Sequence, residues 1–274
     1  MENPTTLLPL LFFLLATGAL AGVMAGLLGV GGGIVLVPAY FYLFSSLGYA
    51  GGQVMQLCLG TSLATIVVTS IRSLHAHNRK GAVDWSVLKS WSIGIAIGAI
   101  IGGFTATALS SNVLQAVFGV LGVVVGWYIG FGKQNWQIAE ALPRGIKRAF
   151  ISPILGFLSV LMGIGGGSLG VPLMSLHGVA IHRAVATAAG FGLAISLPAL
   201  PGFLSVYILA EVRPPLTIGA INLPAFAITI AMTLITAPYG ARLAHTMDAK
   251  PLKRVFAVFL TLVALNMLRK AFVF

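Results

Sequence analysis

The sequence predicts an all-α polytopic membrane protein made of two inverted-topology repeats. Three observations carry this: an apolar, charge-poor composition, a glycine-rich element that recurs in register, and basic residues confined to alternate connections. Of 274 residues, 58% are hydrophobic and 8% are charged, where a soluble domain has about 25% charged. Mean hydropathy is +1.02. Long apolar stretches with so few charges read as membrane spans. The net charge of +11 invites a nucleic-acid reading, but no Lys or Arg precedes Arg72 and most others cluster between apolar segments. That placement is topological. No nucleic-acid partner is expected; the lipid bilayer is.

Apolar segments fall at 7–28, 34–47, 54–74, 87–108, 112–132, 149–162, 169–176, 183–205, 216–237 and 251–272. The first follows Glu2 without a basic leader, so it reads as a retained span rather than a cleaved signal. Segments 34–47 and 169–176 are short of the roughly 20 residues a crossing needs, and read as half-helices or re-entrant returns. Pro38 and Pro172 sit inside or at the end of these pieces, as kinks or stops. The expectation is eight to ten helical segments. Cys58, the single cysteine, lies in an apolar run and reads as a small core residue.

The repeat is explicit. Gly29-Val30-Gly31-Gly32-Gly33-Ile34-Val35-Leu36-Val37-Pro38 aligns with Gly163-Ile164-Gly165-Gly166-Gly167-Ser168-Leu169-Gly170-Val171-Pro172, at an offset of 134 (163 minus 29) that also pairs Gly22 with Gly156. Leu59-Gly60-Thr61-Ser62 corresponds more loosely to Val185-Ala186-Thr187-Ala188. The expected organisation is a first repeat at 1–132, a polar, basic cytoplasmic linker at 133–148 and a second repeat at 149–274. Basic residues mark the 72–89, 133–148 and 240–254 connections as cytoplasmic, while 48–53 and 109–112 carry none. Threading the segments through these assignments makes equivalent helices run in opposite directions. Each half is then a glycine-broken hairpin followed by three spans. Both termini fall outside the cytoplasm, with the protein in the cell inner (plasma) membrane. Arg269 and Lys270 end up on the outer side, against the rule, and are taken as an end effect.

The glycine runs carry the chemistry. Three consecutive glycines at membrane depth make poor helix and survive only inside protein or beside a wet cavity. The short helix after each run begins with unpaired N–H groups and the positive end of its dipole, a natural seat for an anion. Broken segments at matching positions of inverted halves point to a transporter's binding site. The candidate substrate-binding residues are therefore Gly31, Gly32, Gly33, Gly165, Gly166 and Gly167, with Ser168 beside the second run. Thr61, Ser62 and Thr187 add neutral hydroxyl donors. Packing alone is the plainer reading of these glycines. Arg183 stands near the expected cytoplasmic mouth, where it could attract anions. The five acids, Glu2, Asp84, Glu140, Glu211 and Asp248, all read as loop or terminal positions. No buried carboxylate offers itself as a cation ligand or proton relay, no metal site or cofactor is expected, and no enzymatic constellation is visible.

At its two Gly-x-Gly-Gly-Gly-x-x-x-Val-Pro elements the chain resembles the TauE/SafE family of membrane permeases. The resemblance runs nearly the whole length, with the glycine positions and Thr61 as best matches; Ala186-Thr187-Ala188 departs from the Gly-Thr-Ser pattern. It implies transport of sulfite, sulfonates such as sulfoacetate, or related sulfur oxyanions, often as export. The expectation is a secondary carrier working by alternating access, with proton or sodium coupling both open. A passive anion channel and a non-transporting membrane scaffold are the alternatives.

Overall fold

A bilayer offers the backbone no partner, so each apolar segment must close its own hydrogen bonds as a helix. The computed structural model describes residues 4–28, 32–49, 51–132, 136–246 and 249–272. Among them are ten helices: α1 (Pro4–Leu28), α2 (Gly33–Ser46), α3 (Val54–Arg79), α4 (Trp85–Ala108), α5 (Ser111–Phe131), α6 (Gly145–Leu161), α7 (Gly167–Leu176), α8 (Ile181–Leu204), α9 (Leu223–Thr246) and α10 (Ala249–Phe272). A two-stranded antiparallel ribbon, β1 (Thr217–Ile218) and β2 (Ile221–Asn222), precedes α9. Seven of the helices are long and apolar enough to cross a membrane, and α2 and α7, at 14 and 10 residues, are shorter apolar pieces.

Polar side chains set the helix starts. The Asp84 carboxylate accepts the Ser86 and Val87 amides at 3.1 Å to begin α4, and Asn222 Oδ1 accepts the Ala225 amide at 3.0 Å to begin α9. Both supply a partner for first-turn amides that the helix leaves unpaired. Gly32, the residue before α2, has φ +71°, and Gly163, which ends the α6 segment, has φ +63°. That left-handed region favours glycine and turns the chain between the two arms of each hairpin.

The halves are related residue by residue. In the first pairing, α1 lies alongside α9, and a methyl on Gly240 would strike the Val23 backbone; in the second, α6 lies alongside α4, where a methyl on Gly102 would meet Phe157. These are the same contact twice, Val23 with Phe157 and Gly240 with Gly102. Helices α5 and α10 pack antiparallel, Gly119 against Leu268 and Gly130 against Ala257. Helices α3 and α8 also pack antiparallel, Gly60 against Phe203 and Gly192 against Ser70. Equivalent helices thus run in opposite directions, as the basic-residue pattern predicts.

The α6–α7 hairpin enters and leaves on one face, where the Leu176 carbonyl accepts the Ile138 amide of the linker at 2.7 Å. The α1–α2 hairpin returns to the other face. The short pieces are re-entrant arms, with Pro38 and Pro172 inside them rather than at their ends. Gly33 and Gly163 bring the two hairpins together: a methyl on Gly33 would lie 2.6 Å from the Gly163 carbonyl oxygen. Helix α6 starts at Gly145, so residues 145–148 of the segment read as linker are already helical. Lys270 stands over the rings of Phe41 and Tyr42, at 5.3 and 4.8 Å from their centroids. This cation–π seat gives the exception at the end of α10 a physical reason.

Candidate functional site

Four helices and one hairpin enclose a cavity of about 390 Å³. Its deep end is Gly166 and Gly167, where α7 begins, faced by Ala188, Ala189 and Gly192 of α8. Thr69, Ser70 and Ser73 of α3 and Thr233 of α9 add hydroxyls along the walls, while Ala25, Leu234, Ala237 and Pro238 keep the rest apolar. The mouth is basic: Arg72, His75, His77, Arg79 and Lys80, from the last turns of α3, all line it. Among the described lining residues there is no Asp or Glu.

This geometry has a definite sign. The first amides of α7 have no partner within the helix, and the helix dipole puts its positive end at the cavity floor. An anion entering from the basic mouth meets cations first and backbone donors last. Gly166 is tightly held. A methyl there would lie 2.6 Å from the Ala188 carbonyl oxygen and 2.7 Å from the Gly192 amide nitrogen. Only glycine lets α7 seat its N-terminus against α8.

Of the residues expected to bind substrate, Gly166 and Gly167 line this cavity. Gly31 lies outside the described residues. Gly32 and Gly33 are buried, Gly33 against the second hairpin, and Gly165 is buried as well. The hydroxyls are committed elsewhere. Ser62 Oγ donates to the Gly163 carbonyl at 2.7 Å, fastening the second hairpin's turn to α3. Thr61 Oγ1 accepts the Asn222 amide at 3.0 Å, and Thr187 Oγ1 accepts the Asp84 amide at 3.0 Å. Ser168 Oγ is buried without a hydrogen-bond partner.

Arg72, Thr69, Ser70 and Thr233 were not among the expected site residues. Arg72 reads in the sequence as a topology charge; in the fold it lines the cavity mouth. Arg183, expected near the mouth, does not line it.

The model of the family described as sulfite exporter TauE/SafE matches residues 14–267. The chain belongs to the TauE/SafE family. It is similar to a probable membrane transporter protein of Haemophilus influenzae, at 30% identity over 256 residues, 93% of this chain and 97% of the relative. A probable membrane transporter protein of Methanocaldococcus jannaschii is 26% identical over 264 residues, 96% of each chain. The probable membrane transporter protein YunE of Bacillus subtilis is 31% identical over 182 residues, 60% of this chain and 66% of the relative. No solved structure matches the chain significantly. Family and fold agree on a multi-pass membrane transporter.

Proposed function

We propose that this TauE/SafE member is a secondary carrier of a small sulfur oxyanion, sulfite or an organosulfonate such as sulfoacetate, working as an exporter by alternating access. The cavity joining the α7 N-terminus to the basic end of α3, with no acid among its described lining residues, supports this most. Backbone amides and hydroxyls recognise an oxyanion by directed hydrogen bonds without a fixed cation at the seat that would trap it. The basic face is cytoplasmic by the positive-inside rule, which puts both termini on the outer side of the inner (plasma) membrane.

Radiolabelled sulfite flux in proteoliposomes, competed by sulfonates, sulfate and chloride, tests the reading. Saturable flux blocked by one sulfur oxyanion is the expected result. No flux under proton, sodium or voltage gradients would remove the carrier; unsaturable flux with single-channel currents would replace it by a channel.

A further inference from the structure

The pseudo-twofold relation gives each wall of the cavity an equivalent elsewhere in the molecule. On α3 the lining face is Thr69, Ser70, Ser73 and Ala76. The equivalent face of α8, at an offset of 126 (187 minus 61), is Ile195, Ser196, Ala199 and Gly202. All four of these are buried. The cause is a backbone-to-backbone seam between α4 and α8. A methyl on Gly202 would lie 2.7 Å from the Gly103 carbonyl carbon, and one on Gly103 would lie 2.8 Å from the Ala199 carbonyl oxygen. The equivalents of Gly202 and Gly103 are Ala76 and Ala241, at offsets of 126 and 138 (202 minus 76, 241 minus 103). There the helices stand apart, and Ser73 and Ala76 face the cavity. One helix pair therefore occurs in two arrangements within a single molecule, closed at α4–α8 and open at α3–α9.

We infer that the Gly103–Gly202 seam is the gate of a second access route, on the face opposite the basic mouth, and that it parts when α3 and α9 close at Ser73 and Ala76. This rests on the carrier reading above. Exchanging the two arrangements between the halves opens the α2 start at Gly32 and Gly33, the equivalents of Gly166 and Gly167, to the opposite face, and that start meets the second hairpin at the Gly33–Gly163 contact. The exchange is unequal. Two glycines let α4 and α8 touch, whereas the sequence puts alanine at both equivalent positions, 76 and 241, and alanine does not permit so close a backbone approach. The resting protein therefore favours the state open to the basic face.

Thiol labelling tests the gate. The buried Cys58 is replaced by Ala, and Ser73→Cys or Ala199→Cys is introduced as the only thiol. A membrane-impermeant maleimide is applied to either side of oriented, sealed proteoliposomes. At rest, Ser73→Cys reacts from the basic face and Ala199→Cys reacts slowly from the other. Adding Gly202→Ala puts one methyl into the seam, and labelling of Ala199→Cys from the opposite face rises roughly tenfold as that of Ser73→Cys falls. Ala76→Gly, which removes the obstruction on the other pair, shifts both rates in the same sense and serves if Gly202→Ala does not fold. Rates unmoved by both variants, or Ala199→Cys reacting from the basic face, would overturn the gate. No substrate is needed, so reciprocal labelling in a protein that moves no sulfite would leave the gate and remove the sulfite carrier. Saturable sulfite flux without reciprocity would do the reverse.

Discussion

Thr61 accepts the backbone N–H of Asn222 at 3.0 Å, and Thr187, its equivalent in the other half, accepts that of Asp84 at the same distance. Each donor is the residue that caps the other half's fourth helix, Asn222 for α9 and Asp84 for α4. The pins therefore cross between the halves. One ties α3 to α9 and the other ties α8 to α4, which are the two helix pairs that differ between open and closed. A hydroxyl that reads in sequence as a candidate substrate donor accepts, in the fold, the amide at the start of the other half's helix.

Thr61→Val or Thr187→Val leaves an amide at a helix start without its acceptor. Each costs about 1–3 kcal/mol of stability, read as a lower melting temperature in detergent, while Thr→Ser at either site stays near wild type. The KM for sulfite stays unchanged in the Thr61→Val protein that folds, although that variant has lost the hydroxyl. A raised KM with an unaltered melt would return Thr61 to the list of ligands.

Ser62→Ala removes the donor to the Gly163 carbonyl, at the residue where the second hairpin turns with φ +63°. The loss is again about 1–3 kcal/mol. Faster hydrogen exchange should appear across residues 162–167 rather than at the surface of α3. Uniform exchange across the chain would show that the bond does not anchor that turn.

Much of this was legible in the chain, and for particular reasons. The repeated glycine element and the basic connections follow from the bilayer's demands on backbone and charge, so residues such as Gly166 and Arg79 disclose hairpin and topology directly. Gly166 and Gly167, candidates because their glycine run recurs in register at membrane depth, do line the cavity. Arg72 and Thr233 were not legible, since their meeting depends on how far α3 and α9 stand apart, which no local pattern encodes. Nor does any local rule reveal that Thr61 faces Asn222, a residue 161 positions away. Helix α6 begins at Gly145, inside the segment read as linker, because its first turn can keep Lys147 exposed and Arg148 half-buried.

Arg72→Gln lowers the positive potential of the mouth without touching the α7 seat. An exposed charge of this kind contributes about 1 kcal/mol or less, so the KM for sulfite on the basic side rises by up to about fivefold at low salt. The difference from wild type shrinks as ionic strength increases, while kcat holds and Arg72→Lys behaves as wild type. A salt-independent loss of kcat would instead make Arg72 part of the transport step itself.

Lys270→Met removes the ammonium above Phe41 and Tyr42 while keeping most of the stem. At an exposed site the interaction is worth about 0.5–1 kcal/mol. The melting temperature should fall slightly and flux should stay the same. Asn266, which donates to the Tyr42 hydroxyl, keeps α10 on α2 in the variant. A melt unchanged within error would show that Lys270 sits there only because the end of α10 does.

Gly166→Ala is the sharpest test of the seat. The added methyl would press on the Ala188 carbonyl and the Gly192 amide, both backbone atoms that cannot rotate away. Relief requires α7 to lift from α8, which displaces the N-terminal amides of α7 from the cavity floor. Overpacking of this kind costs about 1–3 kcal/mol, small enough for folded protein to be recovered. That protein should show neither saturable sulfite flux nor the rise in melting temperature that bound sulfite gives the wild type. Gly52→Ala is the control, because a methyl there meets nothing within 4 Å. If Gly166→Ala protein melts lower yet keeps both sulfite stabilisation and flux, the α7 N-terminus is a packing feature and the oxyanion must be held by the α3 and α9 walls instead.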